Sequence, residues 1–194
     1  MKKHNFGAGP GILPAEVIAT AAQAVTDFNG SSLSLLEISH RSPAFEAVME
    51  ESEQLVRELL SIDDSYGVMF LTGGASTQFF MAPMNLLNDQ EKAAYVDTGT
   101  WASKAIKDGK IYGTIDVLAS SKDRNYSYIP KDYDINPDYK YLHLTSNNTI
   151  YGTQYKSFPE TSVPIVCDMS SDIFSREIDI NKFDLIYAGA QKNM

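Results

Sequence analysis

Cysteine, histidine and tryptophan are scarce in this 194-residue chain: one, three and one respectively. A single cysteine, Cys167, cannot form an internal disulfide, so nothing points to an oxidising compartment. His4, His40 and His143 stand far apart, without metal-ligand spacing, and metal catalysis is not expected. No apolar run approaches the roughly 20 residues that a membrane helix needs. Lys2 and Lys3 are not followed by an apolar stretch, so no secretory leader is expected and a cytoplasmic location is the default. Positive charge is also in short supply: 16 Lys and Arg against 25 Asp and Glu give a net charge of −9. No basic run relieves that balance, which argues against nucleic acid or an anionic membrane surface as partner. Gly-x-Ser-x-Gly elbows and Walker-type loops are missing as well.

What is present is ordinary for a globular protein, with 43% hydrophobic and 21% charged residues. Residues 1–13, with Gly7, Gly9, Pro10 and Gly11, read as irregular. A first helix is expected from Pro14, with Val17, Ile18, Ala21, Ala22, Val25 and Phe28 on one buried face and Asn29-Gly30 as its stop. Ser42 and Pro43 open a second helix, with Phe45, Val48, Met49, Val56, Leu59 and Leu60 as its buried stripe. Strands and helices then alternate. Strands are expected at Val68–Leu71, Ala93–Val96, Thr114–Leu118, Tyr141–Leu144, Val163–Cys167 and Leu185–Tyr187. Helices are expected from the Gly73-Gly74 turn to about Leu87 and over Trp101–Lys110, with a long polar loop at 119–139. The strands are apolar throughout rather than alternating. The fold class is therefore α/β: a mostly parallel sheet with helices on both faces.

On such a sheet ligands sit at the carboxyl ends of the strands, and the chemically interesting residues fall there. Thr72-Gly73-Gly74-Ala75-Ser76-Thr77 joins a strand to a helix and could cradle a phosphate on its N–H groups. Trp101 follows another strand exit and could stack on a flat ring. Asp168 ends one strand, and Lys192 follows the last one. An acid and an amine so placed are the pair that pyridoxal 5′-phosphate requires, one for its ring nitrogen and one for its aldehyde. Arg41, beside His40, could hold a carboxylate or phosphate by paired hydrogen bonds. Each has a plainer role open to it. The glycines could make an ordinary capped turn, and Trp101 could be a core residue. Asp168 could bond within a turn, Lys192 and Arg41 could be solvated charges, and His143 reads as a satisfied core histidine.

The stretches Asn5–Pro10, Leu13–Val17, Glu37–Ser42, Phe70–Phe79, Tyr95–Trp101, Asn148–Gly152 and Tyr187–Asn193 together resemble the phosphoserine aminotransferase family. That family is a class V, fold-type I branch of the pyridoxal-phosphate enzymes. The resemblance implies that Lys192 is the catalytic residue, holding the cofactor covalently and moving the substrate proton. It implies cofactor contacts from Ala75, Ser76, Trp101, Thr149, Asp168 and Gln191, and recognition of the anionic substrate by Arg41 and His40. Asp168 would meet the pyridinium nitrogen, Trp101 the ring face, Thr149 the region of the phenolic oxygen, and Ala75, Ser76 and Gln191 the phosphate.

The implied reaction moves the amino group of L-glutamate onto 3-phosphohydroxypyruvate, a phosphorylated keto acid, giving phosphoserine and 2-oxoglutarate. A related keto acid of pyridoxine synthesis is a further implied substrate. Other fold-type I activities, such as alanine–glyoxylate transamination or a desulfurase-like lyase, and a non-catalytic truncated form remain alternatives. Ser76 and Ala8 stand where some members carry Arg and Ser. Family members are longer and act as homodimers with shared sites. Residues 14–194 are therefore expected to be most of the cofactor-binding large domain of a longer enzyme, without its small domain.

Overall fold

A computed structural model describes residues 3–194, which cluster into two compact units divided between Phe70 and Leu71. The first unit is built on two helices. Helix α1, Ala15–Thr26, starts directly after Pro14, whose fixed φ suits a helix entry. Left-handed Asn29 and Gly30 turn the chain beyond its end. Helix α2, Pro43–Leu60, has Ser42 as its N-cap: the Ser42 hydroxyl accepts the Phe45 N–H at 3.4 Å. Left-handed Ser61 closes the helix, its N–H donating to the carbonyls of Arg57 and Glu58. Both helices stand where the sequence places them, but their apolar stripes do not become a core. Neither helix has a buried residue, and Ile18, Met49 and Leu59 are exposed. A stripe shows which face seeks cover; two helices and their turns do not form the second layer that would enclose it.

The expected strand at Val68–Leu71 is not formed, and Met69, Phe70 and Leu71 are exposed. A strand exists through its ladder, and none of the described strands pairs with this run.

The second unit is a parallel sheet. Its seven short strands are β1 (Lys92–Asp97), β2 (Thr114–Ser120), β3 (Leu142–Thr145), β4 (Asn147–Asn148), β5 (Thr153–Gln154), β6 (Ile165–Asp168) and β7 (Leu185–Tyr187). Five of them form one sheet in the order β2-β1-β3-β6-β7, with every pairing parallel. Strands β4 and β5 make a small antiparallel hairpin of their own. Burial follows position: β3 and β6 are buried along their whole length, while the edge strands β2 and β7 are only partly so.

Helix α3 (Gln78–Leu86) and helix α4 (Thr100–Gly109) cover one face of the sheet. There Phe79, Ala82, Ala105 and Ile106 pack with Tyr95, Ile115, Val166 and Tyr187. Residues of the other parity, Ala94, Leu142, Leu144 and Cys167, are buried on the opposite face. The 119–139 stretch is largely loop, as the sequence suggests, although β2 runs into it and a short 3-10 turn occupies Lys122–Arg124. It is pinned down by Tyr126, whose hydroxyl donates to Asp97 at 3.2 Å. No helix among the described residues is long and apolar enough to cross a membrane.

Candidate active site

Strand register decides which side chains meet. Thr145, Asp168 and Tyr187 are direct partners at the carboxyl ends of β3, β6 and β7. By alternation they share the face of the sheet that carries Val166 and α3. Asp168 is only 5% exposed there. Its carboxylate accepts the Ser170 N–H at 2.9 Å, and the Ser170 hydroxyl in turn accepts the Gly189 N–H at 3.1 Å. The Met169 N–H donates to the Tyr187 carbonyl at 2.9 Å. These bonds tie the loop after β6 to the loop after β7.

That second loop enters α5 (Ala190–Asn193), which carries Gln191 and Lys192. Burial pushes the Asp168 carboxyl above its ordinary range; the Ser170 bonds oppose the shift, the Asp172 charge adds to it and the Lys192 charge opposes it. Lys192 is thus close enough for its ammonium to act on Asp168.

The glycine-rich turn closes the other side. Gly73 has φ of +96°, a left-handed conformation that favours glycine, and a Cβ built there would lie 2.8 Å from the Thr77 hydroxyl. The chain then forms a 3-10 turn, Ala75–Thr77, before α3 begins. A Cβ built on Gly189 would lie 2.9 Å from Gln191 Oε1 and 3.5 Å from the Ala75 Cβ. Ala75, Gly189 and Gln191 therefore converge, with Ser76 half-buried next to them.

A second corner forms where β1 and β3 end. The β4–β5 hairpin carries half-buried Thr149 in its turn. The Thr98 hydroxyl donates to Asn148 Oδ1 at 3.1 Å, and Asn148 Nδ2 donates to the Thr153 hydroxyl at 3.1 Å. A Cβ on Gly99 would meet Asn148 Oδ1 at 3.0 Å and the Tyr151 ring at 3.1 Å, so a glycine there lets the hairpin seat. Trp101, in the first turn of α4, is 37% exposed beside this corner.

Of the residues expected from the sequence, Asp168, Lys192, Gln191, Ala75 and Ser76 gather at the exits of β6 and β7, and Trp101 and Thr149 at the adjoining exits. His40 and Arg41 lie in the other unit, in an exposed turn just before α2, with the Arg41 N–H donating to the Ser39 hydroxyl at 3.2 Å. Sequence reasoning missed Ser146, Asn148 and Asp172. Asp172 had a usable signal, standing four residues from both Asp168 and Arg176.

These groups fit a phosphorylated pyridine aldehyde. A nearly buried acid whose ionisation burial disfavours is well placed to share the proton of a ring nitrogen. The convergence of Ala75, Gly189 and Gln191 offers backbone and amide groups to a phosphate, and Lys192, on the short helix after Gly189, supplies a primary amine.

A family model described as aminotransferase class-V matches residues 3–194. The phosphoserine aminotransferase of Flavobacterium psychrophilum is 64% identical over 195 residues, covering 100% of this chain and 55% of that protein. That of Flavobacterium johnsoniae is 61% identical with the same coverage. Among solved structures, phosphoserine aminotransferase from Bacillus circulans superposes with a TM-score of 0.94 at 49% identity, covering 97% of this chain and 53% of that one. A PLP-bound phosphoserine aminotransferase from Trichomonas vaginalis gives 0.92 at 31% identity, covering 99% and 55%. The chain spans about half the length of the curated relatives it matches.

Proposed function

The chain belongs to the class-V aminotransferase family, and from that premise we propose that it carries the lysine-bearing part of a pyridoxal-phosphate-dependent transaminase. The reaction proposed is amino transfer between L-glutamate and 3-phosphohydroxypyruvate, as the names of the relatives suggest. The observation that carries the reading is the pairing of Asp168 and Lys192 at adjoining strand exits, with Ala75, Ser76 and Gln191 beside them. Residues 14–194 then correspond to most of the cofactor-binding large domain, working in a cytoplasmic homodimer.

When bound, the cofactor supplies an electron sink for the carbanion left by loss of the substrate's α-proton. The Lys192 amine would hold the cofactor through its aldehyde carbon and, once the substrate's amino group has displaced it, would carry that proton. The Asp168 carboxylate keeps the ring-nitrogen proton in place. The N–H groups of Ala75 and Ser76 and the Gln191 amide would hold its phosphate, Trp101 would cover its ring and Thr149 would offer a hydroxyl to its phenolic oxygen. Arg41, with His40, binds the anionic end of the substrate.

Borohydride reduction after addition of pyridoxal phosphate, followed by peptide mass mapping, tests this directly. The adduct is expected on Lys192. Lys192→Ala is expected to show no adduct there and to lose about 10³-fold or more in turnover. A wild-type protein without an adduct, or a variant with wild-type turnover, would overturn the proposal. Comparing keto acids with and without a phosphate tests the substrate: preference for the unphosphorylated form would remove 3-phosphohydroxypyruvate.

A further inference from the structure

Behind Asp168 lies a second buried acid. Asp172 sits in a tight turn in which the Met169 carbonyl accepts the N–H groups of Asp172 at 3.1 Å and Ile173 at 2.9 Å. Its side chain is 4% exposed. Its carboxylate accepts a hydrogen bond from the Ser146 hydroxyl and one from Gln154 Nε2 at 3.3 Å, and it lies 3.6 Å from the Arg176 guanidinium. Ser146 also touches Asp168: its N–H donates to the Asp168 carbonyl at 3.0 Å. Arg176 is held in turn, donating to the Tyr155 carbonyl at 2.8 Å with its guanidinium 5.7 Å from the Phe158 ring centroid. Two acids thus share one buried region, each with its own cation: Lys192 toward Asp168 and Arg176 toward Asp172.

We propose that Asp172 and Arg176 are a positioning pair that sets the charge behind Asp168, and with it how firmly a proton is kept on the ring nitrogen that Asp168 meets. The inference rests on the cofactor reading above.

The physical argument is Coulombic. A buried charge acts through a medium far less polarisable than water, so a carboxylate behind Asp168 favours protons in front of it. Arg176 offsets part of that field. The charges that act on Asp168 are those of Asp172 and Lys192, with the Tyr187 hydroxyl on the same face of the sheet; Arg176 lies against Asp172, and the Cys167 thiol, on the sheet's opposite face, feels the field of both acids. Among them only Asp172 and Arg176 carry charge without a part in holding the cofactor. A pair serving only the fold would couple Ser146, Gln154 and Tyr155 and leave the proton balance of the site unchanged.

The test is the pH midpoint of the nitrogen-15 NMR shift of the labelled ring nitrogen, measured on holoenzyme whose visible band shows the cofactor bound to lysine. Asp172→Asn keeps the size and an acceptor for Ser146 but removes the charge, and is expected to lower the midpoint by about half a unit or more. Arg176→Met removes the offsetting cation and is expected to raise it by a similar amount. Asp172→Glu, which restores the charge, is expected to bring the midpoint back to the wild-type value. Opposite signs are the signature. Midpoints unchanged in both variants, or moved in the same direction as loosened packing would move them, overturn the inference. A wild-type protein with no visible band overturns the cofactor reading instead, which separates the two failures.

Discussion

At the scale of single residues the site depends on what burial does to a carboxyl group. In water Asp168 would be ionised and unremarkable. At the end of a fully buried strand its charge is disfavoured, and the Ser170 bonds and the Lys192 ammonium oppose that tendency without cancelling it. Such an acid gains more than a solvated one from a cationic ring nitrogen placed against it. Asp168→Asn keeps the shape and removes the charge. On the proposed chemistry turnover is expected to fall by about 10²–10³-fold, while borohydride still traps the cofactor on Lys192. Steady-state kinetics and intact mass read the two outcomes separately. Unchanged turnover in this variant would show that Asp168 faces no developing charge.

At the scale of elements, the Gly73 turn is the most sensitive joint. Its left-handed φ strains any residue with a side chain, and a built Cβ would meet the Thr77 hydroxyl at 2.8 Å, so that hydroxyl would have to turn away. Gly73→Ala is expected to cost about 1–2 kcal/mol in stability and to weaken cofactor retention, measured by denaturant unfolding and by cofactor release on dialysis. Full retention in the variant would place this turn away from the phosphate.

The same scale shows what the sequence could reveal. Asp168 and Lys192 were legible because each follows a short apolar strand, and a parallel sheet gathers such exits at one end; the glycine-rich turn follows a run that forms no strand and reaches them through the approach of Ala75 to Gly189. Helices α1 and α2 were legible through Pro14, Ser42 and Pro43, which act locally. The burial of their stripes was not, because cover depends on elements far away in sequence. Val68–Leu71 failed as a strand for a related reason: propensity without a partner makes no ladder. The hairpin at Asn147–Gln154 escaped because its strands are two residues each, too short for any periodicity. Asn148, which fastens that hairpin to Thr98, escaped with it.

For the molecule as a whole, one buried side chain ties stability to pH. His143 lies in the middle of the sheet, its ring stacked on Tyr95 at 4.6 Å and its Nε2 2.7 Å from the Tyr187 hydroxyl. Tyr187 meets Phe79 of α3 edge-on, and the Tyr95 hydroxyl pairs with that of Tyr141 at 2.8 Å. The sequence suggested a satisfied core histidine; the structure satisfies only one ring nitrogen, since Nδ1 is buried with no partner. Burial lowers the imidazole from 6.5 to about 3. Between those values the unfolded chain binds a proton that the folded one refuses. The stabilising contribution is therefore complete above about pH 6.5 and is lost as pH falls toward 3. From pH 7 to pH 5 the loss is on the order of 2 kcal/mol. Asp168, with its pKa raised on folding, acts in the opposite sense at lower pH, so the comparison has to be made against a variant. His143→Gln keeps a hydrogen-bonding partner for Tyr187 and cannot titrate. Urea unfolding at pH 7 and pH 5 is expected to show a smaller loss in the variant than in the wild type, by about that amount. Parallel pH dependences would mean that the imidazole takes up its proton in the folded state, and that the core around Tyr95 and Tyr187 admits water.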